Sequence, residues 1–134
     1  MSFSNLSKQK THLRVLHVDD DFLFLEVSKQ ILELENAFVV DSAYTVDDAL
    51  EKLLTRNYDA IVCDYELPQK NGLHLLEELR KRGSRIPFIM FTGTGRDVIG
   101  EALALGANCC LSKHGAIESV FACLAYAISN ACTH

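Results

Sequence analysis

The sequence predicts an α/β domain in which helices cover both faces of a parallel β-sheet. Along the 134 residues, five short apolar runs alternate with five segments of helical periodicity. The runs are almost continuously apolar, which is typical of parallel strands that are buried on both faces. Because no internal repeat, low-complexity segment or linker interrupts this alternation, we expect a single doubly wound domain.

The first two units show the alternation clearly. The strand Leu13–Val18 ends in an acidic turn, and apolar residues then recur at helical spacing between Phe22 and Leu34. The second strand is predicted at Phe38–Val40. Thr45 with Asp48 three residues later is typical of a helix N-terminal cap and predicts where the second helix begins.

The remaining three units follow the same order of strand, loop and helix. Their predicted strands are Ala60–Cys63, Pro87–Phe91 and Cys109–Leu111, and the helices that follow end near Gly83, Leu105 and Asn130. We therefore expect the folded domain to span residues 12–131, with a flexible N-terminal tail at 1–11 and a short C-terminal tail at 132–134.

Composition excludes several classes of protein. The net charge of −5 disfavours binding to nucleic acid, which requires a surplus of Lys and Arg on one face. No apolar run approaches the roughly 18 residues of a membrane span, and residues 1–11 lack the apolar region of a signal peptide. The five cysteines form no C-x-x-C pair, so we expect buried, reduced thiols. These features predict a cytoplasmic protein without a membrane or nucleic-acid partner.

Polar side chains follow the predicted strands at their carboxyl ends, where open parallel sheets bind ligands. The residues at these ends are Asp19, Asp20 and Asp21 after the first strand, Asp64 after the third, Thr92 after the fourth, and Ser112 and Lys113 after the fifth. Three carboxylates brought together would repel one another by roughly 4 kcal/mol per pair at 4 Å and an effective dielectric of about 20. A cation is therefore needed, and Mg²⁺ prefers such oxygen ligands.

Asp64 is the candidate nucleophile of this site. A carboxylate beside Mg²⁺ and a lysine can attack a phosphoryl group, because the metal and the ammonium offset the charge that develops on the transferred oxygens. Lys113 would supply that ammonium. The sequence therefore predicts phosphoryl chemistry at the carboxyl edge of the sheet.

These residues resemble the motif set of response-regulator receiver domains, the CheY-like superfamily, over about Leu13–Asn130. The matching segments are Val18–Asp21, Asp64–Gly72, Thr92 and Lys113. The resemblance implies a flavodoxin-like (βα)5 fold with a five-stranded parallel sheet in the order 2-1-3-4-5.

The resemblance also implies roles for individual residues. Asp64 would accept the phosphoryl group from a histidine kinase. Asp20 and Asp64 would ligate Mg²⁺, Asp19 would hold the ion through water, and the backbone carbonyl of Glu66 would complete the protein ligands. Asp21 we interpret as the cap of the first helix rather than as a metal ligand.

Thr92 and Lys113 would act on the phosphoryl group itself. The Thr92 hydroxyl would donate to a phosphoryl oxygen, and Lys113 would pair with the phosphate or, before it arrives, with Asp64. Two positions depart from the family pattern. His114 follows Lys113 in place of a proline preceded by a cis bond, which leaves a trans bond open. Cys110 replaces the aromatic residue usual three positions before the lysine, which puts the usual readout in doubt.

Two further features concern origin and assembly. The segment Phe91–Arg96, together with a lysine that lacks its proline, resembles receivers seen in archaea. The last helix, 116–130, carries Glu118 as its sole charge, which is atypical of a surface helix. We hypothesise homodimerisation through this helix, with the alternative that its alanines make an exposed face harmless.

The expected function is that of a stand-alone receiver that signals by binding a downstream protein and is not an enzyme beyond its own phosphorylation and dephosphorylation. One alternative is a phosphohydrolase of the haloacid-dehalogenase kind, which shares the Asp, Thr, Lys and Mg²⁺ but places its nucleophile on the first strand. A degenerate pseudo-receiver and a flavin-binding module are further alternatives. His17, inside the first strand, we interpret as a core residue.

Overall fold

The fold is taken from a computed structural model that describes residues 12–93 and 97–133. The predicted N-terminal tail at 1–11 lies outside the described residues, as do Thr94–Arg96 of the segment that resembles archaeal receivers and His134 of the C-terminal tail.

Within the described residues, five strands and five helices alternate, which confirms the predicted fold class. The strands are β1 (Leu13–Val18), β2 (Phe38–Ala43), β3 (Ala60–Cys63), β4 (Phe88–Thr92) and β5 (Cys109–Ser112). The helices are α1 (Phe22–Glu35), α2 (Val46–Thr55), α3 (Gly72–Lys81), α4 (Ile99–Ala104) and α5 (Ile117–Cys132). All strand pairs are parallel and the order is β2-β1-β3-β4-β5, as the resemblance implied. The carboxyl ends of all five strands therefore lie at one edge.

The sheet is buried on both faces, and each face has its own apolar core. Val15 packs with residues of α1 and α5 such as Leu32 and Leu124. The next residue, Leu16, packs with residues of α2, α3 and α4 such as Leu76. Neighbouring residues face opposite ways because side chains alternate along a strand. This alternation explains why the strands read as unbroken apolar runs.

β2 extends three residues beyond its predicted end. Its polar residues Asp41 and Ser42 pair with Leu16 and His17 of β1. They are only partly buried because β2 is an edge strand, so polar side chains are tolerated there and the apolar pattern stops before the strand does.

Side-chain caps fix where three helices begin. The Asp21 carboxylate accepts a hydrogen bond from the Phe24 amide at 3.1 Å, which confirms its predicted role as a cap. Thr45 caps α2 as predicted. At α3, Asn71 and His74 form a reciprocal capping box, in which the His74 Nδ1 accepts from the Asn71 amide at 3.0 Å. This box holds the loop that follows β3.

The prediction of buried thiols is right only for Cys63. Cys123 lies on the exposed face of α5, and the other three cysteines are partly exposed; all five are free thiols. The sequence pattern failed here because the apolar stretch of α5 is longer than the face it buries. Within the described ranges, no helix combines the length and hydrophobicity needed to cross a membrane.

Candidate functional site

The carboxyl edge of the sheet brings together carboxylates and an ammonium that are distant in the chain. The Lys113 Nζ donates to Asp19 Oδ2 at 2.5 Å and to Asp64 Oδ2 at 3.0 Å. Both carboxylates are almost completely buried, and so is Thr92, which ends β4 between the strands that precede Asp64 and Lys113. The predicted convergence of side chains therefore occurs in the structure.

Backbone hydrogen bonds to neighbouring strands place Asp64 and Lys113 at the same level along the strand direction. Asp64 follows β3 and its amide donates to the carbonyl of Val18 at 2.9 Å. Lys113 follows β5 and its amide donates to the carbonyl of Thr92 at 3.0 Å. Each residue therefore continues its strand by one position, which projects its side chain into the same space.

Gly72 leaves room for the candidate nucleophile. A Cβ at this position would lie 2.3 Å from the backbone oxygen of Asp64 and 3.2 Å from Cys63 Sγ. The Gly72 amide also donates to the carbonyl of Tyr65 at 2.8 Å, which closes the loop after β3. Gly72, which the sequence identifies only as the end of the segment Asp64–Gly72, is therefore required for close packing of α3 against the site.

The acidic cluster fits a divalent cation. Asp19, Asp20 and Asp64 each offer a carboxylate oxygen, and these oxygens lie within 4.8 Å of one another. Three ionised carboxylates and the Lys113 ammonium leave two negative charges uncompensated. Asp20 is exposed, so the cluster is open to water on one side. Oxygen ligands, a charge of two and access for water suit Mg²⁺.

A cavity of about 220 Å³ adjoins the cluster and is lined by Asp64, Glu66, Thr92, Gly93 and Lys113. It presents a carboxylate, a hydroxyl and an ammonium to the same space, which are the groups that a phosphoryl acceptor needs. The Glu66 amide points toward Asp64 Oδ1 at 3.4 Å. The predicted role of the Glu66 carbonyl in binding metal stays a prediction.

For both Asp19 and Lys113, burial shifts the pKa in one direction and the hydrogen bonds between their charged groups shift it in the other. Burial raises the pKa of Asp19, although the hydrogen bond from Lys113 and that from the Asp21 amide work against this shift. Burial also disfavours the charged form of Lys113, but its bonds to Asp19 and Asp64 outweigh this effect and raise its pKa. Lys113 is therefore protonated at neutral pH and serves as the resident counter-ion of the carboxylates.

The aromatic ring of Phe24 contacts the Lys113 ammonium, which the sequence did not predict. The ammonium lies 4.6 Å from the centroid of the Phe24 ring, which in turn packs against Phe91 and Phe121 at 5.8 and 5.9 Å between centroids. Such a cation–π contact stabilises the charged form of Lys113. Phe24 carries no sequence signal of this role, because it fits the ordinary apolar pattern of α1.

His17 is fully buried beside the same rings, which confirms its interpretation as a core residue. Its Nδ1 lies 3.1 Å from the hydroxyl of Ser28, and its Nε2 has no hydrogen-bond partner among residues 12–93 and 97–133. Burial, helped by the charge of Lys113, lowers the pKa of His17 to about 3. The imidazole is therefore neutral at physiological pH.

Both departures from the family pattern are visible at β5. The bond between Lys113 and His114 is trans, as are all peptide bonds of the described residues. The His114 Nε2 lies 2.7 Å from the carbonyl oxygen of Gly93. Cys110 is half buried against the apolar core on the face covered by α2, α3 and α4.

Comparison with known proteins agrees with this geometry. Residues 15–125 match the family described as the response regulator receiver domain. The chain is 40% identical over 103 residues to a protein of Haemophilus influenzae named as a CpxR homologue and transcriptional regulatory protein. That match covers 75% of this chain but 43% of the relative, and the chain spans less than half the length of the first curated relatives it matches.

Solved structures show the same relationship. A CheY-like receiver domain protein of Methanospirillum hungatei superposes with a TM-score of 0.77 at 28% identity, over 89% of this chain and 95% of that one. The receiver domain of the Francisella response regulator 1452 superposes with a TM-score of 0.76 at 28% identity, over 88% and 98%.

Proposed function

The chain belongs to the response regulator receiver domain family, and on that premise we propose that Asp64 accepts a phosphoryl group from a histidine kinase. The observation that carries this proposal is the position of the Asp64 carboxylate. It lies at a cavity of about 220 Å³ with one oxygen bonded to Lys113 at 3.0 Å.

Asp64 would attack the phosphorus atom of a phosphohistidine, forming an acyl phosphate while the bond from phosphorus to the imidazole nitrogen breaks. The Lys113 ammonium would balance charge on the phosphoryl oxygens, and the Thr92 hydroxyl would donate a hydrogen bond to one of them. Asp19, Asp20, Asp64 and the carbonyl of Glu66 would hold Mg²⁺. When bound, this ion supplies positive charge to the transferred oxygens.

Phosphorylation would increase the negative charge at Asp64. The acyl phosphate carries about −1.5 to −2 charges at pH 7 in place of the single negative charge of the carboxylate, beside a cluster whose carboxylates share one ammonium. Lys113 would exchange a bond to the Asp64 carboxylate for one to the phosphoryl group. This change would bias a two-state surface and alter which protein binds it. We propose protein binding as the output, with no enzymatic activity beyond the protein's own phosphorylation and dephosphorylation.

We also propose that the protein acts in the cytoplasm. Five free cysteines in 134 residues suit a reducing compartment.

Homodimerisation through α5 remains part of the proposal. Ile117 and Tyr126 are 60% and 62% exposed on this helix. A cavity of about 540 Å³ between α5 and the start of β5 has a mainly apolar lining that includes Ala122, Cys123 and Tyr126. An exposed apolar face of this kind is typical of association sites. Light scattering after gel filtration would measure the mass; a monomer both with and without a phosphoryl mimic would refute this part.

Treatment with acetyl phosphate and Mg²⁺, followed by phosphate-affinity electrophoresis, tests the main proposal. Wild type should give a retarded band that Asp64→Asn does not. An unmodified wild type would support a pseudo-receiver. Steady hydrolysis of p-nitrophenyl phosphate would support the phosphohydrolase alternative, although the position of Asp64 after the third strand argues against that class.

A further inference from the structure

We propose that His114 is a positioning residue for phosphoryl acceptance, because its imidazole ties the end of β4 to the end of β5 at the rim of the cavity. This inference rests on the proposed function of Asp64. His114 belongs neither to the carboxylate cluster nor to the residues that line the cavity, and through Gly93 it would control the separation of Thr92 and Lys113.

The contact lies immediately beyond the last backbone hydrogen bond between the two strands. Thr92 and Ser112 are register partners, and the Lys113 amide donates to the Thr92 carbonyl at 3.0 Å. One residue further on, the His114 Nε2 lies 2.7 Å from the Gly93 carbonyl. Because a carbonyl oxygen only accepts hydrogen bonds, Nε2 carries the proton and donates it. The imidazole thus extends the pairing of β4 and β5 by one residue.

A second bond orients His114 for this contact. The His114 amide donates to the Ser112 hydroxyl at 3.0 Å, which closes a tight turn around Lys113. The residue is therefore held by its backbone on β5 and by its side chain on the loop after β4. Loss of the imidazole would remove the hydrogen bond to the Gly93 carbonyl, whereas the hydrogen bond between the His114 amide and Ser112 would remain.

Gly93 connects this contact to the chemistry. It lines the cavity together with Thr92 and Lys113, and a Cβ built on Gly93 would lie 3.9 Å from Lys113 Cδ. The lysine side chain therefore runs across Gly93 on its way to Asp64. A shift of the Gly93 peptide would move both the Thr92 hydroxyl and the support of the Lys113 side chain. Positioning of this kind affects rate without contact with the reacting atoms.

The test compares two neutral amides that differ in reach. His114→Gln places an amide NH₂ near the position of Nε2 and can donate to Gly93, whereas His114→Asn places it near Nδ1 and falls short. We expect His114→Asn to lower the rate of phosphorylation by saturating acetyl phosphate, and the affinity for beryllofluoride, by about 2–10-fold, the loss expected for one hydrogen bond. We expect His114→Gln to stay within about twofold of wild type.

Two readouts separate positioning from a structural defect. The Mg²⁺ dissociation constant should be unchanged in both variants, because neither touches the carboxylates. The melting temperature of His114→Asn should fall by no more than about 5 °C, the effect of one lost hydrogen bond. Equal rates for His114→Asn and wild type, with Asp64 phosphorylated in both, would overturn the inference and leave the proposed function intact. An equal loss in both variants would also overturn it. If wild type accepted no phosphoryl group, the proposed function would fail and this inference with it.

Discussion

The Lys113 ammonium lies 3.0 Å from the Asp64 carboxylate, although 49 residues separate them in the chain and β4 lies between their strands. Two strand spacings amount to about 10 Å, so only a long side chain can bridge the gap across the end of β4. Lys113 does so by passing over Gly93. The site therefore depends on three strand ends being held at fixed separations.

Removal of the ammonium should destabilise the protein when no metal is present. Lys113→Met leaves the buried Asp19 and Asp64 carboxylates without their partner, which we expect to cost about 1–3 kcal/mol of unfolding free energy in EDTA. Lys70→Met is a matched control, because Lys70 pairs with Asp47 at the same 3.0 Å but in an exposed position. Its effect should stay within about 0.5 kcal/mol. Urea unfolding would measure both; equal losses would contradict the counter-ion role of Lys113.

Asp20, the exposed member of the cluster, should contribute to Mg²⁺ binding. Mg²⁺ at 100 times its dissociation constant should stabilise wild type by about 2.7 kcal/mol. Asp20→Asn should weaken Mg²⁺ binding at least tenfold in calorimetric titration. In EDTA the same variant should be as stable as wild type or more so, because repulsion among the carboxylates is relieved. Glu51→Gln, an exposed change on α2, should leave binding unaltered. The hypothesis fails if Asp20→Asn binds Mg²⁺ like wild type.

Gly72 should tolerate no side chain. Gly72→Ala would force a Cβ against the backbone oxygen of Asp64, so α3 or the loop after β3 must shift. We expect a loss of about 1–3 kcal/mol in unfolding free energy and slower phosphorylation. Gly100→Ala in α4 meets nothing within 4 Å and should be neutral or stabilising by up to about 1 kcal/mol. Similar stabilities for the two alanine variants would refute the packing argument.

The buried His17 should make the protein sensitive to acid. Its pKa is about 3 in the folded state against 6.5 ordinarily, so the unfolded chain binds a proton that the folded protein excludes. Above pH 6.5 this difference in proton binding does not affect the unfolding free energy. As the pH falls from 6.5 toward 3, the unfolding free energy decreases by up to about 1.4 kcal/mol per pH unit. The double variant His17→Leu, Ser28→Ala removes the imidazole and its hydroxyl partner together. Its unfolding free energy should fall less steeply between pH 6.5 and 4.5 in EDTA; parallel curves would contradict a neutral His17.

The order of elements and the location of the site were predictable from the sequence. Continuous apolar runs identify parallel strands, and the carboxyl ends of parallel strands share one edge, so Asp19, Asp64, Thr92 and Lys113 had to approach one another. The cap at Asp21 was predictable for a similar reason, because the side chain and the helix amides it bonds are neighbours in the chain.

Other features were not predictable because they depend on where side chains point across neighbouring elements. The contact of Phe24 with Lys113 and that of His114 with Gly93 join positions without a shared sequence pattern. The end of β2 was missed because an edge strand admits polar residues. The exposure of Cys123 was missed because an almost uniformly apolar helix does not reveal which face it buries.

Asp64 should be the residue that carries the phosphoryl group. Borohydride reduces an aspartyl phosphate to homoserine, so reduction of the acetyl phosphate-treated protein followed by peptide mass spectrometry identifies the modified residue. The expected result is homoserine at position 64 in wild type and at no position in Asp64→Asn. Homoserine at any other aspartate, or a treated wild type without homoserine, would contradict phosphorylation of Asp64.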